Sequence, residues 1–220
     1  KKYLAQNDPA ADFEASVISV CNSFKDFRSG HYVYISSVDV YDCVSDPVHN
    51  AESKTIDASM ISPYGFHKYI AEQLVSFHLP KWLIVRASGF VGTGLWKNSI
   101  FDILHNRPLR VNPESRYQYI NTADFARLLL DLFQMGLAGE IINIAGDGLM
   151  RLSDVIGMVP GYNLNDDAKS APAETYDINI DRLKSLFRVP DTFSTLKSFV
   201  ANTLDGDSAE ETSPAGPTPG

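Results

Sequence analysis

The chain has 220 residues, a net charge of −8 and 44% hydrophobic side chains, enough for one large domain or two small ones. No apolar run approaches the roughly eighteen residues of a membrane span, and the opening KKYLAQNDPAADF lacks the apolar core of a signal peptide. Asp205, Asp207, Glu210 and Glu211 carry half of the net charge, and the remainder has no Lys/Arg cluster, which argues against nucleic acid as a partner.

In chain order, residues 10–27 place Phe13, Val17, Val20 and Phe24 at helical spacing, and Gly30 is a plausible stop. HYVYIS reads as a buried strand and DPVHNAESKTIDAS as a polar loop. SPYGFHKYIAEQLV reads as a helix capped by Ser62 with Pro63 at its first position. WLIVRA is a second buried strand, WKNSIFDILHNR a helix and LRV a short strand. NTADFARLLLDLFQMG is a helix with Thr122 as its expected cap and Gly136 as its stop. EIINIAG is a third strand, and LSDVIGM, NIDRLKSLF and DTFSTLKSFVANTL are expected helices. The acidic, Pro/Gly/Ser-rich 205–220 cannot bury enough surface to offset its ordering entropy and reads as a disordered tail. Helices alternating with buried-type strands predict an α/β fold with a largely parallel sheet, whose ligands sit at the carboxyl ends of the strands. SSVDVYD and ASGFVGTG follow the first two strands there.

Tyr64 and Lys68 lie four apart near the start of their helix. Ten tyrosines and a Lys frequency of about one in 22 yield about 0.5 such pairs by chance, so the spacing decides nothing alone. With Tyr64 at zero on a wheel of about 100° per residue, Lys68 falls near 40°, at the edge of an apolar arc containing Ala71 and Val75. Glu72, Gln73 and Ser76 fall on the expected wet side. A Lys there can hold its ammonium near the phenol and favour phenolate, as a general acid/base near neutral pH requires. A snorkelling lysine beside a packed tyrosine fits the same spacing.

The three blocks YVYISSVDVYD, SPYGFHKYIAEQLV and LIVRASGFVGTGL resemble, in order and separation, consecutive blocks of the extended short-chain dehydrogenase/reductase family, the NAD-dependent epimerase/dehydratase group. YQYINTADFARLLL and GEIINIAGDGLMRLSDV resemble two later blocks, so the likeness covers about residues 10–190. It implies a partial Rossmann-type, doubly wound parallel sheet with a small C-terminal substrate-binding region over residues 1–204. By resemblance, Ser37 is the catalytic Ser/Thr that bonds the reacting oxygen, Tyr64 passes the proton, and Lys68 holds the nicotinamide ribose and lowers the Tyr64 pKa. Ala87 and Ser88 would lie near the nicotinamide of an NAD or NADP cofactor. Asp39 resembles the second acid of the dehydratase subgroup and reads either as a base near the substrate or as a solvated loop residue. Arg116 lies one place before a phosphate-binding Arg and reads either as a diphosphate ligand or as a surface charge.

Departures from the family pattern bear on cofactor and substrate. No Gly-rich turn follows an early strand, and against the family about 75 residues are absent before Lys1. The expectation is a C-terminal fragment, inactive by itself and without tight dinucleotide binding; micromolar affinity for NAD(P) in calorimetry would contradict it. Gly89 stands where nucleotide-sugar enzymes carry Asn, Thr93 where they carry Pro, His67 where they carry Ser, and Asp42 where they carry Gly. The five histidines form no ligand set and Cys21 and Cys43 no metal spacing, so no metal is expected. Two lone cysteines fit a reducing cytosol, hence a cytoplasmic protein, with a disulfide left open.

The expected function is thus an NAD(P)-dependent oxidoreductase, epimerase or dehydratase acting on a nucleotide sugar or a related small hydroxy/keto compound. The competing expectation is a catalytically silent binding or scaffold protein of the same fold. The resemblance also implies a homodimer through the Tyr-Lys helix, with Phe66, Ile70 and Phe77 serving core or interface.

Overall fold

The computed structural model describes residues 2–211, with side chains described for 4–205. Helices α1 (Lys2–Asn7) and α2 (Pro9–Phe13), a π-helical turn (Glu14–Ile18) and α3 (Ser19–Asp26) precede strand β1 (Tyr32–Ser37). A 3-10 turn (Val38–Val40) and a loop lead to α4 (Pro63–His78), then β2 (Trp82–Ala87), β3 (Gly89–Val91) and α5 (Ser99–Leu104). The chain continues through β4 (Arg116–Tyr117), β5 (Tyr119–Asn121), α6 (Thr122–Gln134), β6 (Glu140–Ile144) and β7 (Met150–Arg151). It closes with α7 (Leu152–Ile156), α8 (Asp166–Ser170), α9 (Asp181–Leu186) and α10 (Thr192–Glu211).

The main sheet has the order β1-β2-β6, all parallel. Its register puts Ser37, Ala87 and Ile144 side by side at the carboxyl ends. Central β2 is buried from Leu83 to Ala87, which is why its Trp82–Val85 start is apolar throughout rather than alternating. Its side chains alternate between two covers. Leu83, Val85 and Ala87 pack with Ile142, Ile144 and the α6 residues Phe125, Leu128 and Leu132. Ile84 turns the other way, with Tyr34 and the α4 residues Ala71 and Val75. The sheet is therefore wound on both faces, as an α/β fold of Rossmann type requires.

A second core joins β3, β5, α5, α7 and α10 through Val91, Ile100, Ile103, Tyr119, Leu152 and Leu196, among others. Parallel β3–β5 and antiparallel β4–β7 are short ladders beside the main sheet. The close approach of Gly89 to Tyr119 explains its glycine: a Cβ would stand 2.8 Å from the ring.

Several elements differ from the sequence-based expectation. The helix expected over WKNSIFDILHNR is only α5, because Asn98, at φ 125°, caps it: its Oδ1 accepts from the Phe101 N–H at 3.0 Å. LRV is not a strand. The Asn165 side-chain amide takes both Leu109 backbone groups, at 2.9 and 3.0 Å, where a strand neighbour would have done so. Asn121 rather than Thr122 caps α6, accepting from the Ala123 N–H at 2.9 Å. Glu72, expected on the wet side of α4, is fully buried, because Arg86 reaches it from β2. Helix α10 continues past Asp205 to Glu211, and residues 212–220 of the expected tail lie outside the described residues. Cys21 and Cys43 are free thiols, and no described helix is long and apolar enough to cross a membrane.

Candidate active site

The site starts where β1 ends. Ser37 caps the 3-10 turn by accepting from the Asp39 N–H at 3.2 Å, and its hydroxyl donates to Asp39 Oδ2 at 3.0 Å. The other Asp39 oxygen accepts from the Tyr176 hydroxyl at 2.9 Å. Tyr41, just beyond the turn, is buried; its hydroxyl donates to Asn143 Oδ1 at 2.8 Å, and the Arg86 guanidinium sits 4.7 Å from its ring centroid.

Helix α4 is fixed against this turn by backbone contact. Ser62 accepts from the Gly65 N–H at 3.1 Å and so caps the helix as its sequence implies. A Cβ on Gly65 would fall 2.0 Å from the Asp39 carbonyl oxygen, so only glycine fits there. The glycine after Tyr64 therefore seats the helix start directly on the Ser37–Asp39 turn. Further along α4, Glu72 binds Arg86 in a two-pronged ion pair, at 3.0 and 2.7 Å. Burial works against the Arg86 charge, and Glu72 more than offsets it, so the guanidinium pKa is raised. The His67 Nδ1 meets Asp12 Oδ2 of α2 at 2.9 Å, both side chains almost wholly buried.

Lys68 runs along β1. Its Nζ donates to the Ile35 carbonyl at 3.3 Å and stands 5.1 Å from the Tyr34 ring centroid. Burial lowers the Lys68 pKa, and the Asp12 and Glu72 carboxylates oppose that shift. The Tyr34 phenol is pushed upward first by burial, then by the charges of Glu72 and Tyr64, which places Tyr64 in the same neighbourhood.

Two adjoining cavities meet at the carboxyl end of the sheet. Ser37, Asp39, Ala87 and Ser88 line one of about 570 Å³. Tyr64, Asp39 and Ser62 line the other, of about 380 Å³. Asp39, Glu174 and Tyr176 belong to both. The structure thus brings Ser37, Asp39, Ala87 and Ser88 together and sets Tyr64 next door across Asp39, while Lys68 of α4 lines neither cavity and holds its ammonium on the Ile35 carbonyl of β1. Arg116 is exposed and lines neither cavity; its backbone N–H donates to the Glu174 carbonyl at 2.8 Å. Glu174 and Tyr176 escaped the sequence reading. They lie in irregular chain, carried to the site by the Arg116–Thr175 bridge, by the Glu174 N–H donating to Ser115 Oγ at 3.0 Å and by the Tyr176 N–H donating to the Arg116 carbonyl at 2.8 Å. No group of three or more metal-ligating side chains gathers among the described residues.

No known family profile matches this chain, and neither does any curated protein. Solved structures do. The dTDP-glucose 4,6-dehydratase of Bacillus anthracis, in complex with NAD, matches with a TM-score of 0.73 at 17% identity, over 89% of this chain and 69% of that one. The dTDP-4-dehydrorhamnose reductase of the same organism, in complex with NADP, has a TM-score of 0.74 at 19% identity, over 92% and 76%. The UDP-glucose 4-epimerase of Thermotoga maritima, with UDP-glucose, has 0.73 at 16%, over 93% and 74%. The chain shares the Rossmann-type α/β fold of these enzymes. At such identities the fold is what is shared. Within it, the in-register ends of β1 and β2 and the seated start of α4 are this chain's own features.

Proposed function

We propose that this chain carries the proton-transfer centre of an NAD(P)-dependent oxidoreductase, epimerase or dehydratase acting on a small hydroxy or keto compound, nucleotide sugars among the possible substrates. The observation that carries the reading is the Gly65 contact, which seats Tyr64 beside the turn of Ser37 and Asp39 at the carboxyl end of the sheet. Fold likeness to NAD- and NADP-bound enzymes supports it.

The nicotinamide half of a dinucleotide fits the residues present. Lys68 spends one of its three N–H donors on Ile35, leaving two for ribose hydroxyls, and Ala87 and Ser88 close the strand end beside Ser37. The Gly92–Gly94 turn follows β3, and no Gly-rich turn follows β1 to take the pyrophosphate. When bound, the dinucleotide accepts or returns the hydride. Tyr64 takes the hydroxyl proton as the carbinol is oxidised and returns it on reduction. Ser37 orients the reacting oxygen, and Asp39 sets the Ser37 rotamer by accepting its proton. Lys68 supplies positive charge along β1. Ala87 and Ser88 shape the floor.

The second reading, a binding protein without turnover, is favoured by one feature: the Ser37 proton is engaged by Asp39 and the Lys68 ammonium by a backbone carbonyl. Turnover separates the two. In a protein that joins this chain to a dinucleotide-binding turn, Tyr64→Phe is expected to lower kcat by about 10²–10⁴-fold. Full turnover by that variant would sink the first reading.

A further inference from the structure

The 570 Å³ cavity beside Ser37 is acidic. Its lining includes Asp39 and Glu174 against one cation among the described residues, Lys97, which is exposed. Arg116 is not among its lining residues. An arginine-bearing groove, of about 920 Å³, lies across the Gly92–Leu95 segment. There Arg127 is paired with Asp124 and Asp131, and Asp124 and Asp191 line the groove beside Arg188.

The same cavity has a tyrosine wall. The rings of Tyr117 and Tyr176 are 5.5 Å apart and those of Tyr117 and Tyr119 6.0 Å. The Tyr117 hydroxyl donates to Glu174 Oε2 at 3.2 Å, and the Tyr176 hydroxyl to Asp39 Oδ1. Burial, then the Glu174 charge, pushes the Tyr117 phenol upward, so it stays a neutral donor and does not ionise beside the acid. A carboxylate has about four lone-pair sites, so Glu174 can accept further protons from a ligand beside the one from Tyr117.

We infer that this cavity takes an uncharged polyhydroxy compound rather than a nucleotide-linked one. Ligand hydroxyls donate to Asp39 and Glu174, and the tyrosine faces cover the apolar C–H side of the ligand. A diphosphate would meet two carboxylates with one exposed lysine to offset them. The inference uses the proposed centre for its location and deepens it by naming the substrate class.

Binding tests it without cofactor or turnover, so loss of the oxidoreductase reading would leave the result readable. The 220-residue chain, with ¹³C-labelled tyrosine and with Tyr117 and Tyr176 signals assigned through their Phe variants, is titrated separately with D-glucose, D-galactose, D-mannose, myo-inositol, UDP and UDP-glucose. At least one neutral compound is expected to shift both signals, and UDP to need a concentration at least about tenfold higher. Glu174→Lys is expected to reverse that order, weakening the neutral ligand and tightening UDP. If UDP or UDP-glucose shifts the wild-type signals at lower concentration than every neutral compound, or if no neutral compound shifts them, the inference fails.

Discussion

The two faces of the main sheet are held in different ways. Helix α6 meets one face through hydrocarbon packing: Phe125, Leu128 and Leu132 against Leu83, Val85, Ile142 and Ile144. Helix α4 meets the other with a small apolar patch and two directional polar contacts, Glu72 to Arg86 and Lys68 to the Ile35 carbonyl, and is tied to α2 by His67 and Asp12. Hydrocarbon packing is non-directional and tolerates small shifts. Bidentate and backbone-directed contacts do not. The face that carries Tyr64 is the one whose register along the sheet is fixed by directional bonds.

Breaking the charged face is expected to be the larger injury. Glu72→Ala strands the buried Arg86 guanidinium and is expected to lose about 3–5 kcal/mol in denaturant unfolding. Leu128→Ala opens a void on the apolar face and is expected to lose about 2–5 kcal/mol, with the site geometry unchanged. In an active full protein, turnover per folded molecule should fall for Glu72→Ala and hold for Leu128→Ala. Equal effects on turnover would contradict the contrast. Gly65→Ala forces a methyl onto the Asp39 carbonyl. It is expected to cost about 1–3 kcal/mol and to lift α4 from the turn, visible as shifted Tyr64 and Asp39 resonances. Tyr176→Phe removes one bond to Asp39 and is expected to cost about 0.5–1.5 kcal/mol in the same assay.

The smallest expected effect is in pH dependence. Burial depresses the Lys68 pKa, so the folded chain gives up that proton before the unfolded chain does. Stability should therefore rise with pH between the depressed folded value and the ordinary Lys value of about 10.4. Unfolding at stepped pH checks this: Lys68→Met should flatten that rise, and an unchanged slope would count against a depressed Lys68 pKa.

What the sequence made legible was local. The apolar centres of β2 and β6, Leu83–Val85 and Ile141–Ile142, the Ser62–Pro63 start of α4 and the Gly136 stop of α6, at φ 71°, each rest on signals within a few residues. So does the alignment of Ser37 with Ala87, since each closes a strand. What stayed hidden depends on partners far along the chain. Glu72 looked solvated because its counter-charge arrives from β2. LRV looked like a strand because nothing nearby announces the Asn165 amide. Glu174 and Tyr176 enter the site through irregular chain bridged to β4. Asp39, left open between base and solvated loop residue, is held between Ser37 and Tyr176.

The most direct measurement is kcat for Tyr64→Phe, in a protein joining this chain to a dinucleotide-binding turn, with near-UV circular dichroism confirming the fold. A drop of about 10²–10⁴-fold is predicted for a lost proton carrier. Unchanged kcat in a folded variant would contradict the placement of the reaction beside Ser37.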